Sequence, residues 1–199
     1  MKVTALKAQI KNPQRVSIFV DEKYSFSLSL DELVKYRIKQ GDDLSAADEK
    51  KFKKLSADGK LRARALEWLL NRPHSEREFR DYLYRKKAGP EQTEIFVKEF
   101  SRKRYLDNAK FAAWFVELQV RRGKSDRAIR SELFAKGINR ELADKVLHQA
   151  ETDEGVRLKA IIAKKAKLPR YQKDPVKLKQ YLMQQGFSYQ LIKDTLKNT

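Results

Sequence analysis

The chain has 199 residues, 41% of them hydrophobic, which suffices for the core of one domain or two small ones. Its 45 lysines and arginines against 27 aspartates and glutamates leave a net charge of +18, which favours contact with nucleic acid or an acidic protein surface over a merely basic soluble protein. The absence of cysteine excludes a disulfide framework and thiolate chemistry and fits a reducing cytoplasm, and no stretch has the apolar length of a signal-peptide core or a membrane span.

In chain order, residues 1–30 read as strands. Val16-Ser17-Ile18-Phe19-Val20 is β-rich, Asp21-Glu22-Lys23 is a polar turn, and Tyr24, Phe26, Leu28 and Leu30 alternate with serines, giving a hairpin with one apolar face. A lone hairpin is marginal, so Val3 to Ile10 is expected to add a third strand, or a helix to cover it. From Asp31 the spacing of Leu33, Val34 and Ile38 suits a short helix stopped by Gly41, and Ser45-Ala46-Ala47-Asp48 has the form of a capping box opening the next one. Ser56-Ala57-Asp58-Gly59 reads as a break, and the module boundary is placed there.

A unit of about fifty residues then recurs three times. A small polar cap precedes an amphipathic helix at Ser75 with Phe79 and Leu83, at Ser125 with Ile129 and Leu133, and at Asp174 with Leu178 and Leu182. Phe79, Ile129 and Leu178 are 50 and 49 positions apart, so the register holds throughout. Leu61, Ala65 and Trp68 recur as Phe111, Phe115 and Leu118, while Gly137 and Gly186 end helices and Asn139 caps the one that follows Gly137. A unit of this length holds three short helices. The expected fold is therefore mainly α: an elongated array of three three-helix repeats, residues 60–107, 108–152 and 153–199, behind a β-hairpin-containing module, residues 1–59. About nine helices follow for the array, whose extended surface suits polymers or filaments.

Ala65-Leu66, Arg72, Ser75-x-x-Glu78-Phe79-x-x-x-Leu83, Tyr105-Leu106-Asp107, Phe111-Ala112 and Ile129-x-x-Glu132-Leu133-x-x-Lys136-Gly137-Ile138, in this order and spacing, resemble the RecX family of recombination regulators. Tyr24-Ser25-Phe26-Ser27-Leu28 is similar to the N-terminal extension of many members. The resemblance implies a protein that binds the RecA recombinase and its filament on DNA, and restrains ATP turnover, strand exchange and repressor cleavage. It also implies that DNA itself can be bound. Two positions depart from the pattern: Lys87 stands where repeats two and three have glycine, and Arg104 precedes Tyr105 where the family commonly has glycine.

Enzymatic chemistry finds no constellation. His74 and His148 are far apart, and His74 is expected on the surface beside the Ser75 cap; neither a metal nor a cofactor is implied. Gly123-Lys124-Ser125 ends like a phosphate-binding loop, but Leu118 stands where the loop needs glycine. Acids in the first turn, such as Glu76 and Glu78, complement the helix dipole. The basic clusters remain: Arg102, Lys103 and Arg104; Arg121, Arg122, Lys124 and Arg127; and Arg157, Lys164, Lys165, Lys167 and Arg170, all placed at corresponding junctions. Turn-borne guanidinium groups bind phosphate bidentately or pair with a partner's carboxylates. The expected protein is a monomeric, non-enzymatic RecA regulator that also meets single-stranded DNA; the alternative is an autonomous nucleic-acid-binding architectural protein.

Overall fold

The computed structural model describes residues 1–10, 12–150 and 153–197. A three-stranded antiparallel sheet is followed, among the described residues, by eleven helices, and the chain divides into two compact units, Met1–Trp68 and Leu69–Thr199. Among the described residues, no helix is long and apolar enough to cross a membrane.

In the first unit, β1 (Val3–Gln9), β2 (Asn12–Val20) and β3 (Lys23–Ser29) pair in sequence order. Asp21 and Glu22 both adopt positive φ, 46° and 65°, the twist that a two-residue hairpin turn requires. The alternation read from the sequence places Val16 opposite Leu28 and Ile18 opposite Phe26, all buried. Helix α1 (Leu30–Tyr36) starts on a reciprocal cap: Glu32 N–H donates to Ser29 Oγ at 3.1 Å, and Ser29 N–H to Glu32 Oε2 at 2.8 Å. It ends at Arg37, whose φ of 53° turns the chain before Gly41 is reached. Helix α2 (Ala46–Asn71) opens on the expected Ser45–Asp48 box and supplies Phe52, stacked on Phe26 at 5.4 Å.

The expected break at Ser56–Gly59 does not occur, because α2 runs through it. Small residues there serve close packing. Ser56 Oγ accepts the Ser27 N–H at 3.0 Å, and the buried Arg15 guanidinium donates to Ser27 O at 2.7 Å and Ser56 O at 3.4 Å. A Cβ on Gly59 would stand 2.6 Å from Arg15 Nη1, so the glycine makes room for the guanidinium.

The second unit contains α3 (Glu76–Arg85), α4 (Pro90–Arg102), α5 (Asn108–Arg121), α6 (Asp126–Ala135), α7 (Arg140–Gln149), α8 (Glu154–Lys165), α9 (Pro169–Gln172), α10 (Pro175–Gln184) and α11 (Tyr189–Lys197). Helices α5, α6 and α7 form one triplet around Phe111, Ile129, Leu133 and Leu147. The next triplet, α8, α10 and α11, packs Leu158, Leu182, Phe187 and Ile192. Between α8 and α10 it carries the single turn α9, with buried Tyr171, which the repeat pattern does not foretell. In the first repeat Phe79, Leu83, Phe96 and Phe100 are buried, whereas Ile95 on α4 is half exposed.

Successive repeats are joined at the N-terminus of each second helix. The N–H of Glu76 donates to Asn108 Oδ1 and that of Asp126 to Glu154 Oε1, each at 2.9 Å, so the first residue of one helix is satisfied by the first residue of the next repeat's leading helix. The same ends are overlaid by the glycine turns that close α6 and α10. A Cβ on Gly137 (φ 79°) would lie 3.0 Å from Arg77 Cβ. One on Gly186 (φ 95°) would collide with Ser125 Oγ and come within 2.7 Å of Ala128 Cβ. Lys87, the exposed counterpart in the preceding repeat, keeps the left-handed conformation (φ 61°) with a side chain. Gly186→Ala is expected to lose about 2–5 kcal/mol, combining left-handed strain with overpacking. Gly41→Ala, at φ 96° in open space, should lose only about 1–2 kcal/mol. Urea unfolding compares them, and equal losses would refute tight docking at Gly186.

Candidate nucleic-acid interface

The basic side chains separate into those that the fold uses and those that it leaves available. Arg102, the last residue of α4, is exposed and has no ion pair or hydrogen bond among the described residues. Lys103 caps α4 and pairs with Glu99 at 2.8 Å. Arg104 is exposed in the left-handed region (φ 58°), so the turn keeps the geometry that glycine would give while adding a cation. Arg104, Tyr105 and Lys110 line an open groove of about 400 Å³ with Leu70, Arg72 and Asp107. Lys110 was not singled out by sequence; only its position in the first turn of α5, three residues after the Asp107 cap, could have drawn attention to it.

Arg121 is spent on an exposed ion pair with Glu117, one turn earlier. Arg122 and Arg127 are exposed without a partner among the described residues, and Lys124 stands 3.8 Å from Glu132. In the last repeat, Lys164 and Lys167 are exposed, Lys165 lies 5.0 Å above the Tyr181 ring, and the Arg170 guanidinium lies 5.5 Å from the Tyr171 centroid. The clusters are not at corresponding places, as the sequence suggested. Arg102–Arg104 lies between repeats, Arg121–Arg127 brackets the turn from α5 to α6, and the third cluster runs from within α8 to α9. The equivalent turn after α2 carries Arg72, which donates to Glu78 Oε2 at 2.9 Å and lies 5.0 Å over Trp114.

Two expectations are corrected. Arg157 is not an exposed phosphate contact: it is 7% exposed, and its guanidinium pairs with Asp126 of the preceding repeat. Its position in α8, one turn after Glu154, turns it towards the α6 end that Glu154 also holds. His74 is not a surface residue either. It is 3% exposed, with Nδ1 3.2 Å from Glu78 Oε2. Glu78 thus gathers His74, Arg72 and, from the next repeat, Lys136 Nζ at 2.8 Å. Burial pushes the Glu78 pKa up, but hydrogen bonds from His74, Arg72 and Lys136 outweigh it and hold the carboxylate well below its ordinary range.

Comparison with known proteins matches residues 1–45 to the RecX N-terminal domain and residues 107–147 to the second three-helix domain of RecX. A regulatory protein RecX of Listeria monocytogenes is 31% identical over 97% of this chain and 74% of its own length. This chain belongs to the RecX family of regulatory proteins. A RecX protein of Bacillus licheniformis is 30% identical over 99% of the chain and 77% of its own length. With that of Listeria innocua, 32% identical, the match covers 77% of the chain and only 57% of the relative. A crystal structure of a regulatory protein RecX superposes with a TM-score of 0.70 over 97% of this chain and 98% of its own, at 24% identity. RecX from Lactobacillus salivarius gives 0.59 over 71% and 96%, at 22% identity. These structures support the fold: a small sheet followed by helical repeats.

The Glu78 cluster makes a pH prediction. Because its folded-state pKa is depressed, its contribution is complete above the ordinary value of 4.5 and is lost as pH falls below it. Glu78→Gln should cost about 2 kcal/mol at pH 7, and the gap to wild type should narrow steadily as the pH is lowered from 5 to 3. Urea midpoints across that range check this; a gap independent of pH would mean that the charge contributes nothing.

Proposed function

We propose that this chain restrains the RecA recombinase by binding along its filament on DNA, lowering ATP turnover, strand exchange and repressor cleavage, with no catalysis of its own. The relatedness to regulatory RecX proteins over nearly the whole chain carries the reading. The arrangement of cations supports it. Arg102, Arg104, Arg122, Arg127, Lys164 and Lys167 are exposed on turns and first or last helical turns of three successive repeats, and none has a partner among the described residues. Such groups supply phosphate contacts through counterion release without disturbing the helices that carry them. In this reading residues 60–107, 108–152 and 153–199 act as three modules of one monomer spanning neighbouring subunits, with single-stranded DNA as the nucleic acid in reach. Tethering several weak contacts on one chain gives avidity without any single strong site.

The wild-type protein is expected to inhibit RecA ATPase on single-stranded DNA and to hydrolyse nothing alone. Replacing Arg102, Arg104, Arg122 and Arg127 with alanine should weaken inhibition at unchanged helicity, since exposed charges add little to stability. With ~5 phosphates contacted, the log–log slope of DNA affinity against salt should lie at about −3.5 to −4.5. Unchanged RecA turnover and equal binding to coated and bare DNA would instead establish the autonomous architectural protein, and a slope near zero would remove DNA from the reading.

A further inference from the structure

The second helices carry a feature that the basic turns do not explain. Directly after the buried leucine of each repeat stands a large, solvent-exposed apolar side chain: Tyr84 after Leu83, Phe134 after Leu133 and Met183 after Leu182. They are 82%, 73% and 49% exposed and lie 50 and 49 positions apart, in the register of the array. Scattered exposed apolar residues need no explanation, but one at the same place in three successive units is a recurring feature of the array. Beside Tyr84 an open groove of about 520 Å³ runs between α3 and α4, floored by Ala88 and Pro90 and edged by Arg80 and Glu94.

Charge on the same face follows the register as well. In the first repeat Arg80 pairs with Glu94 across the second and third helices, and in the next Arg130 Nε donates to Asp144 Oδ1 at 2.6 Å. The corresponding positions of the last repeat are Lys179 on α10 and Lys193 on α11, both exposed and without a partner among the described residues. Two repeats therefore supply their own carboxylate at this place, and the third leaves it to be supplied.

We infer that this face, marked by Tyr84, Phe134 and Met183, is the protein-docking surface of the array, and that a partner carboxylate takes the place between Lys179 and Lys193 that Glu94 and Asp144 fill in the other repeats. The occupant is an acidic protein surface that offers an apolar contact at regular intervals, as a polymer of identical subunits does. Nucleic acid fits less well: Arg80 and Arg130, one helical turn before Tyr84 and Phe134, are already neutralised, Asp81, Glu91 and Glu141 add negative charge, and methionine is a poor base-stacking platform. The cations assigned above to phosphate lie on the turns and at helix ends, away from this place. One chain thus presents turns to nucleic acid and second-helix faces to protein.

This inference rests on the RecA reading, and its test keeps the two apart. Wild type, the triple variant Tyr84→Ser/Phe134→Ser/Met183→Ser, and Lys193→Glu are compared by co-sedimentation with RecA filaments on single-stranded DNA and by anisotropy with the bare oligonucleotide. The triple variant is expected to bind filaments about tenfold more weakly or worse, the loss that a few interface anchors produce, with bare-DNA affinity within about twofold of wild type. Lys193→Glu rebuilds the internal ion pair of the other repeats, so it should weaken filament binding while leaving the Tm unchanged or slightly raised, an outcome that a merely structural role would not give. Full filament binding by both variants overturns the docking face and leaves the RecA reading intact, as does a parallel loss of bare-DNA affinity in the triple variant. Failure of wild type itself to prefer the filament overturns both.

Discussion

Much of the repeat unit depends on how the N-terminus of each second helix is satisfied. A helix start exposes N–H groups that need acceptors, and here part of the need is met locally and part by the neighbouring repeat. Ser125 Oγ accepts from Ala128 N–H, while Glu154 of the next repeat accepts from Asp126 N–H and the Ser125 N–H donates to Gln185 O. The helix end is therefore complete only once the next module has docked. That couples the modules, since undocking one leaves polar groups of its neighbour unpaired at a cost of about 1–3 kcal/mol each where they are buried. In the last repeat Pro175 stands at the corresponding position and has no N–H to donate.

The same constraint explains where glycine is required. A helix C-terminus in left-handed conformation tolerates lysine or arginine at modest strain, as Lys87 and Arg104 show. Glycine becomes necessary where that turn also lies against another helix. Gly186 meets Ser125 and Ala128, Gly137 meets Arg77, and Gly123 meets Ile161 at 2.9 Å from where its Cβ would stand. The absence of glycine from two turns of the first repeat thus reflects what those turns touch.

What was legible in the sequence is what local chemistry determines. Caps at Ser45, Ser75, Ser125, Asn139 and Asp174, the hairpin alternation and the fifty-residue register all follow from side chains acting on their own segment. What was not legible depends on residues distant in sequence. Arg15 and Gly59 are 44 positions apart, and only their approach reveals why a glycine sits in mid-helix rather than ending it. His74 and Arg157 looked like surface groups because an isolated polar residue near a helix start usually is one. Their burial depends on Glu78 and Asp126, acids whose ordinary role in a first helical turn conceals a second one. Among the basic candidates the register could not separate Arg157 from Lys164, since charge density along the chain does not record which cation faces a neighbour.

Electrostatics give this arrangement its last step. A chain with net charge +18 repels itself, and the repulsion is greatest where modules approach. The two joints between repeats carry opposite charges at that point: Glu78 receives Lys136, and Asp126 receives Arg157. The second pair is desolvated enough that added salt screens it weakly, whereas the exposed Arg121–Glu117 and Arg130–Asp144 pairs are screened readily. Raising ionic strength therefore weakens attraction between the turns and a polyanion well before it loosens the joints. The array can keep its form while its hold on a charged partner varies, and that separation follows from placing the compensated charges inside the joints and the uncompensated ones on the turns.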